Sequence, residues 1–509
     1  MKLLGDVENS TCMKHKNGIN YCFNNRNNRV IKMSYALYIG KNHTVDGLSY
    51  LAGYGDEPSS HWIEIINRAE YSAGNAISVG VNSDADMPGQ RIEIPQVAET
   101  ARHIRVSYTY YKGVPPPITN GGLNEYGVAI RDVWSPSRAE LIAITNANQT
   151  GPNYSDLARL ILERAKTARQ AVQLIGELIA QYGESTYGGN SHLIADSDEA
   201  WVVIQFAGSQ GLWAAERLGA SSIRASRPGY ILNIPVGEPD HEDFLYSDNL
   251  VSFAIQQGWY VPGEPFNVNA IYGDNKGRWE GVQWIEGEMI KRSERSTKIG
   301  IVDVMWAIRT TKLTGDTAGY GQVVPLLADI APELRVLWHA HIGALAAPFL
   351  PTYMGVTNVP EEFRQHRYLS IGESSRFLDA RHFDQGEPES RSRVPQAIES
   401  TRSATAIFKR LLYLLVQHGD EFLPEVTDCW EKLEADLISQ QGAIVRIAQI
   451  LLDQPELELA QKYLTYYNNT EFMKALQLGE ILAASMEART RLKYGIKESD
   501  VIRSFEQIW

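Results

Sequence analysis

The layout of the chain predicts an α+β fold from three features. Strand-like runs dominate from residue 34 to about residue 134, one long amphipathic helical stretch spans residues 153–183, and residues 396–495 carry an almost continuous helical pattern. No repeat of fixed period runs through this order.

The first strand starts at Ser34, where Tyr35, Leu37 and Ile39 recur at the two-residue period of a strand. "HTVDG" supplies a turn at Asp46-Gly47, and "LSYLAGYG" follows as a second strand, giving a β-hairpin with Ser34 at its head. Further strands are expected at 60–66, 90–95 and 103–111. "KGVPPPITNGG" reads as a Pro/Gly-dense loop, and "LNEYGVAIRDVW" as a turn leading into a strand.

In "NYSDLARLILERAKTARQAVQLIGELIAQYG" Ser155 is placed as the helix cap and Asp156 in the first turn, where a negative charge is favoured. Leu157, Leu160 and Ile161 form a stripe at helical spacing, which restarts after Thr167 and ends at Gly183. "NSHLIADSDEAWVVIQF" reads as two strands joined by a polar turn. Residues 240–395 mix short helices and loops, with the Ser/Arg-rich "DQGEPESRSRVPQ" as a solvated crossing before the helical portion. The expected division is a leader at 1–33, a main domain at 34–395, and a helical portion at 396–509 packed on that same domain.

The leader differs from the rest. Its first 32 residues hold seven Asn, six Lys or Arg and two acids, with no sustained apolar period. Such a segment cannot bury enough apolar surface to order itself. Met33 directly before the first strand offers a second start, so the leader is expected to be absent from the mature protein, leaving Ser34 at the amino terminus.

Net charge of −13 describes an acidic surface, which argues against nucleic acid or an anionic membrane as the main partner. Cys12, Cys22 and Cys429 are too few and too scattered for a disulfide framework or a zinc knuckle. "MKLLGDVENST" has no apolar core for a signal peptide, and "VLWHAHIGALAAPFLP" is interrupted by His339 and His341 and falls short of a membrane span. These features predict a cytoplasmic protein.

Five collinear blocks carry a family likeness: "LNEYGVAIRDVW", "LARLILERAKTARQAVQLIGELIAQYG", "GGNSHLIADSDEAWVV", "ILNIPVGEPDHEDFLYSDNLVSFAIQQGWY" and "NNTEFMKALQLGEILAASMEARTRLKYG". Together they resemble the dipeptidase A/secernin family of N-terminal-nucleophile (Ntn) hydrolases, over nearly all of residues 34–495. The resemblance implies a four-layer αββα sandwich with a helical C-terminal portion. Members of that family begin with cysteine where this chain has Ser34. They usually read Ala-Arg-Asn-x-Asp where it reads Ala52-Gly53-Tyr54-Gly55-Asp56, so Asp56 matches and the family arginine is missing at Gly53.

A serine hydroxyl needs a base to become a nucleophile. At an amino terminus Ser34 would carry that base itself, an α-amine of pKa about 8. The plain alternative is an ordinary strand serine behind a tail. Asp56 would orient the α-ammonium, or simply cap a turn before Pro58. The resemblance assigns Asn233 in "YILNIPVG" to the oxyanion and Arg278 in "GDNKGRWEG" to the neighbourhood of the nucleophile, where a solvated loop arginine is the competing reading. Asn124 and Glu125 are read as shaping a turn. His339 and His341 form "HAH", two histidines with no third ligand beside them to complete a catalytic zinc site, and are read as structural or substrate-lining. "GGN" at 188–190 precedes a strand, so no dinucleotide fingerprint is present.

The expected activity is therefore hydrolysis of an amide or peptide bond, dipeptidase-like and without metal or organic cofactor, on a small peptide. The alternatives are an N-acyl amide hydrolase resembling penicillin acylase, and a non-catalytic secernin-like regulator. A homo-oligomer is compatible with each.

Overall fold

The computed structural model describes residues 33–56, 61–85, 87–108, 114–115, 118–238, 241–315, 318–364, 402–454 and 457–495, with a short strand pair, Cys12–Lys14 and Asn20–Cys22. The rest of the leader, the Ser/Arg-rich crossing and the 395/396 boundary lie outside the described residues.

Two antiparallel sheets carry the fold. The strands are β1 (Tyr35–Ile39), β2 (Ser49–Gly55), β3 (His61–Ile66), β4 (His103–Tyr108), β5 (Ile118–Asn124), β6 (Ala129–Trp134) and β7 (Asn190–Ala195). They continue as β8 (Ala200–Gln205), β9 (Trp213–Leu218), β10 (Ile223–Ser226), β11 (Phe244–Tyr246), β12 (Tyr320–Leu326), β13 (Val336–Ala340) and β14 (Leu350–Tyr353). One sheet has eight strands in the order β11-β9-β8-β7-β6-β5-β4-β3, and the other six in the order β10-β1-β2-β12-β13-β14. The expected hairpin is β1–β2, with Ala36 opposite Gly53. The chain is thus mixed α/β with its sheets built from hairpins.

Strand alternation explains how the sheets are covered. On β6, Ile130 joins an apolar cluster with the helices α1 (Tyr154–Arg164) and α2 (Ala168–Tyr182), while Ala129 and Val133 face the six-stranded sheet. Strand β6 touches β1 and β2, and β5 touches β13, so the two sheets pack face to face. The far side of the six-stranded sheet is covered by α3 (Glu280–Ser293) against β10 and α4 (Ile301–Arg309) against β12 and β2.

Helix α1 shows why its sequence folds as it does. Leu157, Leu160 and Ile161 are fully buried, each side chain contributing about 1.5–3 kcal/mol of transfer free energy. The cap is Asn153 and not Ser155. The Asn153 Oδ1 accepts from the Ser155 and Asp156 amides at 2.9 and 3.0 Å, and its Nδ2 donates to the Gly80 carbonyl at 2.8 Å. Ser155 lies inside the first turn, its Oγ accepting from the Thr119 amide at 2.8 Å. Both residues can cap, and the long-range bond to Gly80 selects Asn153. Asn153→Ala should lower the unfolding free energy by about 1–2 kcal/mol in urea titration, and Ser155→Ala by less.

The stripe breaks at Ala165, whose extended backbone ends α1, and Thr167 caps α2. Asn124 binds that break: its Nδ2 donates to the Ala165 carbonyl at 2.7 Å, while its Oδ1 accepts from Tyr126 and Val128. Asn124 therefore shapes its turn, as the sequence suggests, and also ties it to the helix end.

The C-terminal helices are α5 (Ala404–Gln417), α6 (Gly419–Leu452) and α7 (Leu457–Tyr494). They pack on one another, and α6 and α7 also pack on β14. Arg309 of α4 and Glu434 of α6 form a buried ion pair, with Nη1 to Oε2 at 3.0 Å, that joins this helical portion to the sheets. Among the described residues, no helix is long and apolar enough to cross a membrane.

Candidate active site

Ser34 directly precedes β1 and is largely buried, at 9% exposure. Its Oγ accepts a hydrogen bond from the backbone amide of Asp56 at 2.9 Å. The hairpin register causes this contact, because pairing Ala36 with Gly53 brings the end of β2 to the start of β1. By alternation Ser34, Ala36, Gly53 and Gly55 share the face turned to the eight-stranded sheet. Tyr35 and Tyr54 face the other way, where the Tyr35 hydroxyl donates to the Ala307 carbonyl of α4 at 2.5 Å.

The Asp56 carboxylate meets the Tyr54 hydroxyl in a long contact of 3.4 Å, and that hydroxyl accepts from the Gly315 amide at 3.3 Å. Burial first, and the Asp56 charge second, push the Tyr54 phenol well above its ordinary range, so it stays a neutral donor. Serine, aspartate and tyrosine form one connected group.

Among the described residues Arg278 is joined to that group through the sheet. Its guanidinium binds Glu286 of α3 through Nη1 at 2.9 Å and Nη2 at 2.5 Å, and Nη2 also donates to the Ala225 carbonyl at 3.0 Å. Glu286 in turn accepts from the Ala225 amide at 2.9 Å. Ala225 pairs with Leu37, so the Arg278–Glu286 pair fixes the edge strand beside β1. Asn233 stands exposed on a short ribbon in which Asn233–Ile234 pairs with Phe266–Asn267. Among the described residues no hydrogen bond links Asn233 or Arg278 to Ser34.

A cleft of about 290 Å³ opens nearby, lined among others by Ser135, Phe206, Pro228, Tyr230, Asn267 and Asn269. Ser34 does not line it. It reaches the Ser34 end of the sheet through Pro228, two residues beyond Ser226, which pairs with Ala36. It reaches the Asn233 ribbon through Asn267, the strand partner of Asn233.

His339 and His341 are both buried, and His339 is on the sheet face shared with Ser34, since it pairs with Gln322, which pairs with Gly53. Burial, then the neighbouring His61, lowers His341 to about 3, and burial drives His339 well below its ordinary value. Both are neutral at physiological pH. Among the described residues no group of three or more His, Cys, Asp or Glu is placed to hold a metal ion.

Sequence reading missed Arg131. It sits on β6 at an inward position between Ala129 and Val133, fully buried, with its side chain lying over Gly53. The available signal was a lone charge at an inward position of "GVAIRDVW".

Residues 95–279 match Peptidase family C69. The C69-like segment includes Arg131, Asn233 and Arg278 and leaves Ser34 and Asp56 outside it. The chain is 32% identical over 166 residues to a probable dipeptidase of Salmonella dublin, covering 30% of this chain and 36% of that one. It is 28% identical over 276 residues to probable dipeptidase B of Lactococcus lactis, covering 49% of this chain and 55% of that one. The chain thus spans between about a third and just over half the length of these curated relatives. Among solved structures, a point mutant of conjugated bile acid hydrolase from Clostridium perfringens aligns with 63% of this chain and 92% of its own, at 12% identity and a TM-score of 0.31.

Proposed function

We propose that this protein is a cofactor-independent hydrolase of dipeptides, built on the four-layer αββα sandwich of Ntn hydrolases, with Ser34 as its amino-terminal nucleophile. The observation that carries the reading is the placement of Ser34 at the head of β1, with its hydroxyl held by the Asp56 amide on the face between the two sheets. The C69-like segment and the dipeptidase names of the two relatives support the substrate class.

The chemistry starts when the α-amine of Ser34 takes the hydroxyl proton as Oγ attacks the scissile carbonyl. Asn233 and backbone amides hold the resulting oxyanion, an interaction worth about 3 kcal/mol of barrier for one positioned donor. Breakage of the C–N bond passes the proton to the leaving amine and leaves an acyl ester on Ser34. Water, deprotonated by the same amine, then hydrolyses the ester. Asp56 orients the α-ammonium, and Arg278 keeps the edge strand in place beside the nucleophile.

The base must be neutral to act, so kcat/KM should rise with pH through about 8, where an α-amine titrates. On a chain beginning at Ser34, Ser34→Ala should lower hydrolysis of a dipeptide panel by about 1,000-fold or more with an unchanged circular-dichroism spectrum, while Ser34→Cys keeps measurable turnover. Full activity in the alanine variant would falsify this mechanism. If N-acyl amines were hydrolysed and dipeptides were not, the substrate class would move to the acylase alternative.

A further inference from the structure

We infer that Arg131, reaching across from the facing sheet, binds the carboxylate of the substrate at the Ser34 site. This assignment rests on the reading of Ser34 as nucleophile and adds the specificity that goes with it.

Three observations converge on Arg131. The first is its passage over Gly53. A Cβ at Gly53 would lie 3.0 Å from the Arg131 Cδ, 3.2 Å from Cγ and 3.4 Å from Nε, so the guanidinium reaches this position only because residue 53 has no side chain. Gly121 on the neighbouring strand, with φ +120°, is held to glycine first by the Ile130 carbonyl oxygen, 1.9 Å from where its Cβ would lie, and Nη1 passes 3.2 Å from the same point. Gly53 lies diagonally across from Ser34 on the same sheet face, a separation of about 7–8 Å in such a pair.

The second is the pattern of hydrogen bonds. Nη1 donates to the Gly122 carbonyl at 3.3 Å and to the Ile130 carbonyl, which fixes one end of the group. Nε and Nη2 have no partner among the described residues. Those two nitrogens form the side-on edge of the guanidinium, which meets both oxygens of a carboxylate in parallel.

The third is the surrounding wall. Gln322, paired with Gly53, has neither amide atom partnered among the described residues, and the same holds for both nitrogens of His339 and for Nδ1 of His341. These side chains are at most 1% exposed and offer donors without charge. Arg131 forms no ion pair among the described residues. Burial lowers its pKa to about 10, with Tyr320 and Asp132 opposing that shift, so it remains a cation at neutral pH. A buried cation of this kind is strongly favoured by a counter-charge. A dipeptide supplies one as its terminal carboxylate.

The test compares dialanine with its C-terminal amide, on chains beginning at Ser34. The unmodified enzyme should prefer the acid by about tenfold or more in kcat/KM, mostly through KM. Arg131→Met should cost the acid at least about tenfold more than the amide, and Arg131→Lys should keep part of the preference. Should Arg131→Met fail to fold, Gly53→Ala presses on the Arg131 Cδ while leaving the charge in place, and should reduce the same preference. Equal use of acid and amide by the unmodified chain, or equal losses on both in Arg131→Met, would show a scaffold role only and overturn the assignment. Calorimetric titration of dialanine into Ser34→Ala, with and without Arg131→Met, reads the carboxylate site apart from turnover. Binding that vanishes with Arg131 upholds the site even if Ser34 proves not to be the nucleophile, and binding that persists refutes it.

Discussion

Protein that retains residues 1–33 is expected to hydrolyse dipeptides about 10²–10⁴-fold more slowly than protein beginning at Ser34. A residue ahead of Ser34 turns its α-amine into an amide, whose nitrogen lone pair is delocalised and cannot accept the hydroxyl proton. In the proposed mechanism the enzyme would lose its base, and with it the positive charge that Asp56 would orient. The hydroxyl itself would remain held by the Asp56 amide at 2.9 Å. The defect should therefore appear in kcat, with dipeptide affinity and thermal stability nearly unchanged. Purified chains with and without the leader, matched for concentration by absorbance, give the comparison directly. Equal kcat values would remove the amine from the mechanism.

The largest expected effect on stability lies at the ion pair that joins α4 to α6. Glu434→Gln should lower the unfolding free energy by about 3–5 kcal/mol, because it leaves Arg309 as an uncompensated buried cation. The Arg309 and Glu434 side chains are only 6% and 5% exposed. Arg309 Nε also donates to the Ala344 carbonyl at 2.7 Å, and Glu434 accepts from the Phe349 amide at 2.7 Å. Burial pushes the Glu434 carboxyl up and Arg309 pulls it back, as expected for a pair whose attraction offsets a large desolvation cost. Replacing both, as Arg309→Met with Glu434→Leu, should recover most of the loss. Urea titrations of the three variants measure this, and a cost below about 1 kcal/mol for Glu434→Gln would mean that the helical portion docks by apolar packing alone.

What the sequence made legible follows from how local each signal is. The β1–β2 hairpin could be read because its two-residue period and its turn lie within a short stretch, and the structure has it there with Ser34 at its head. The stripe of α1 and its restart after Thr167 were equally local. The cap of α1 was misplaced by two residues because Asn153 and Ser155 are both good caps, and the deciding bond runs to Gly80. Arg131 escaped notice for a related reason. Its relation to Gly53 exists only where two sheets meet face to face, and no period within either strand records it. Arg278 could be read as a loop arginine or as a neighbour of the nucleophile. Its ion pair with Glu286 lies between these readings, since it acts on the strand next to β1.

Rapid acid quench of a chain beginning at Ser34 during turnover of dialanine, followed by peptide mapping in a mass spectrometer, tests the central claim most directly. The account predicts that the peptide starting at Ser34 carries one alanyl group as an ester on its hydroxyl, and that the same peptide is unmodified in the Ser34→Ala variant. An alanyl group on any other side chain, with Ser34 bare at full turnover, would contradict it.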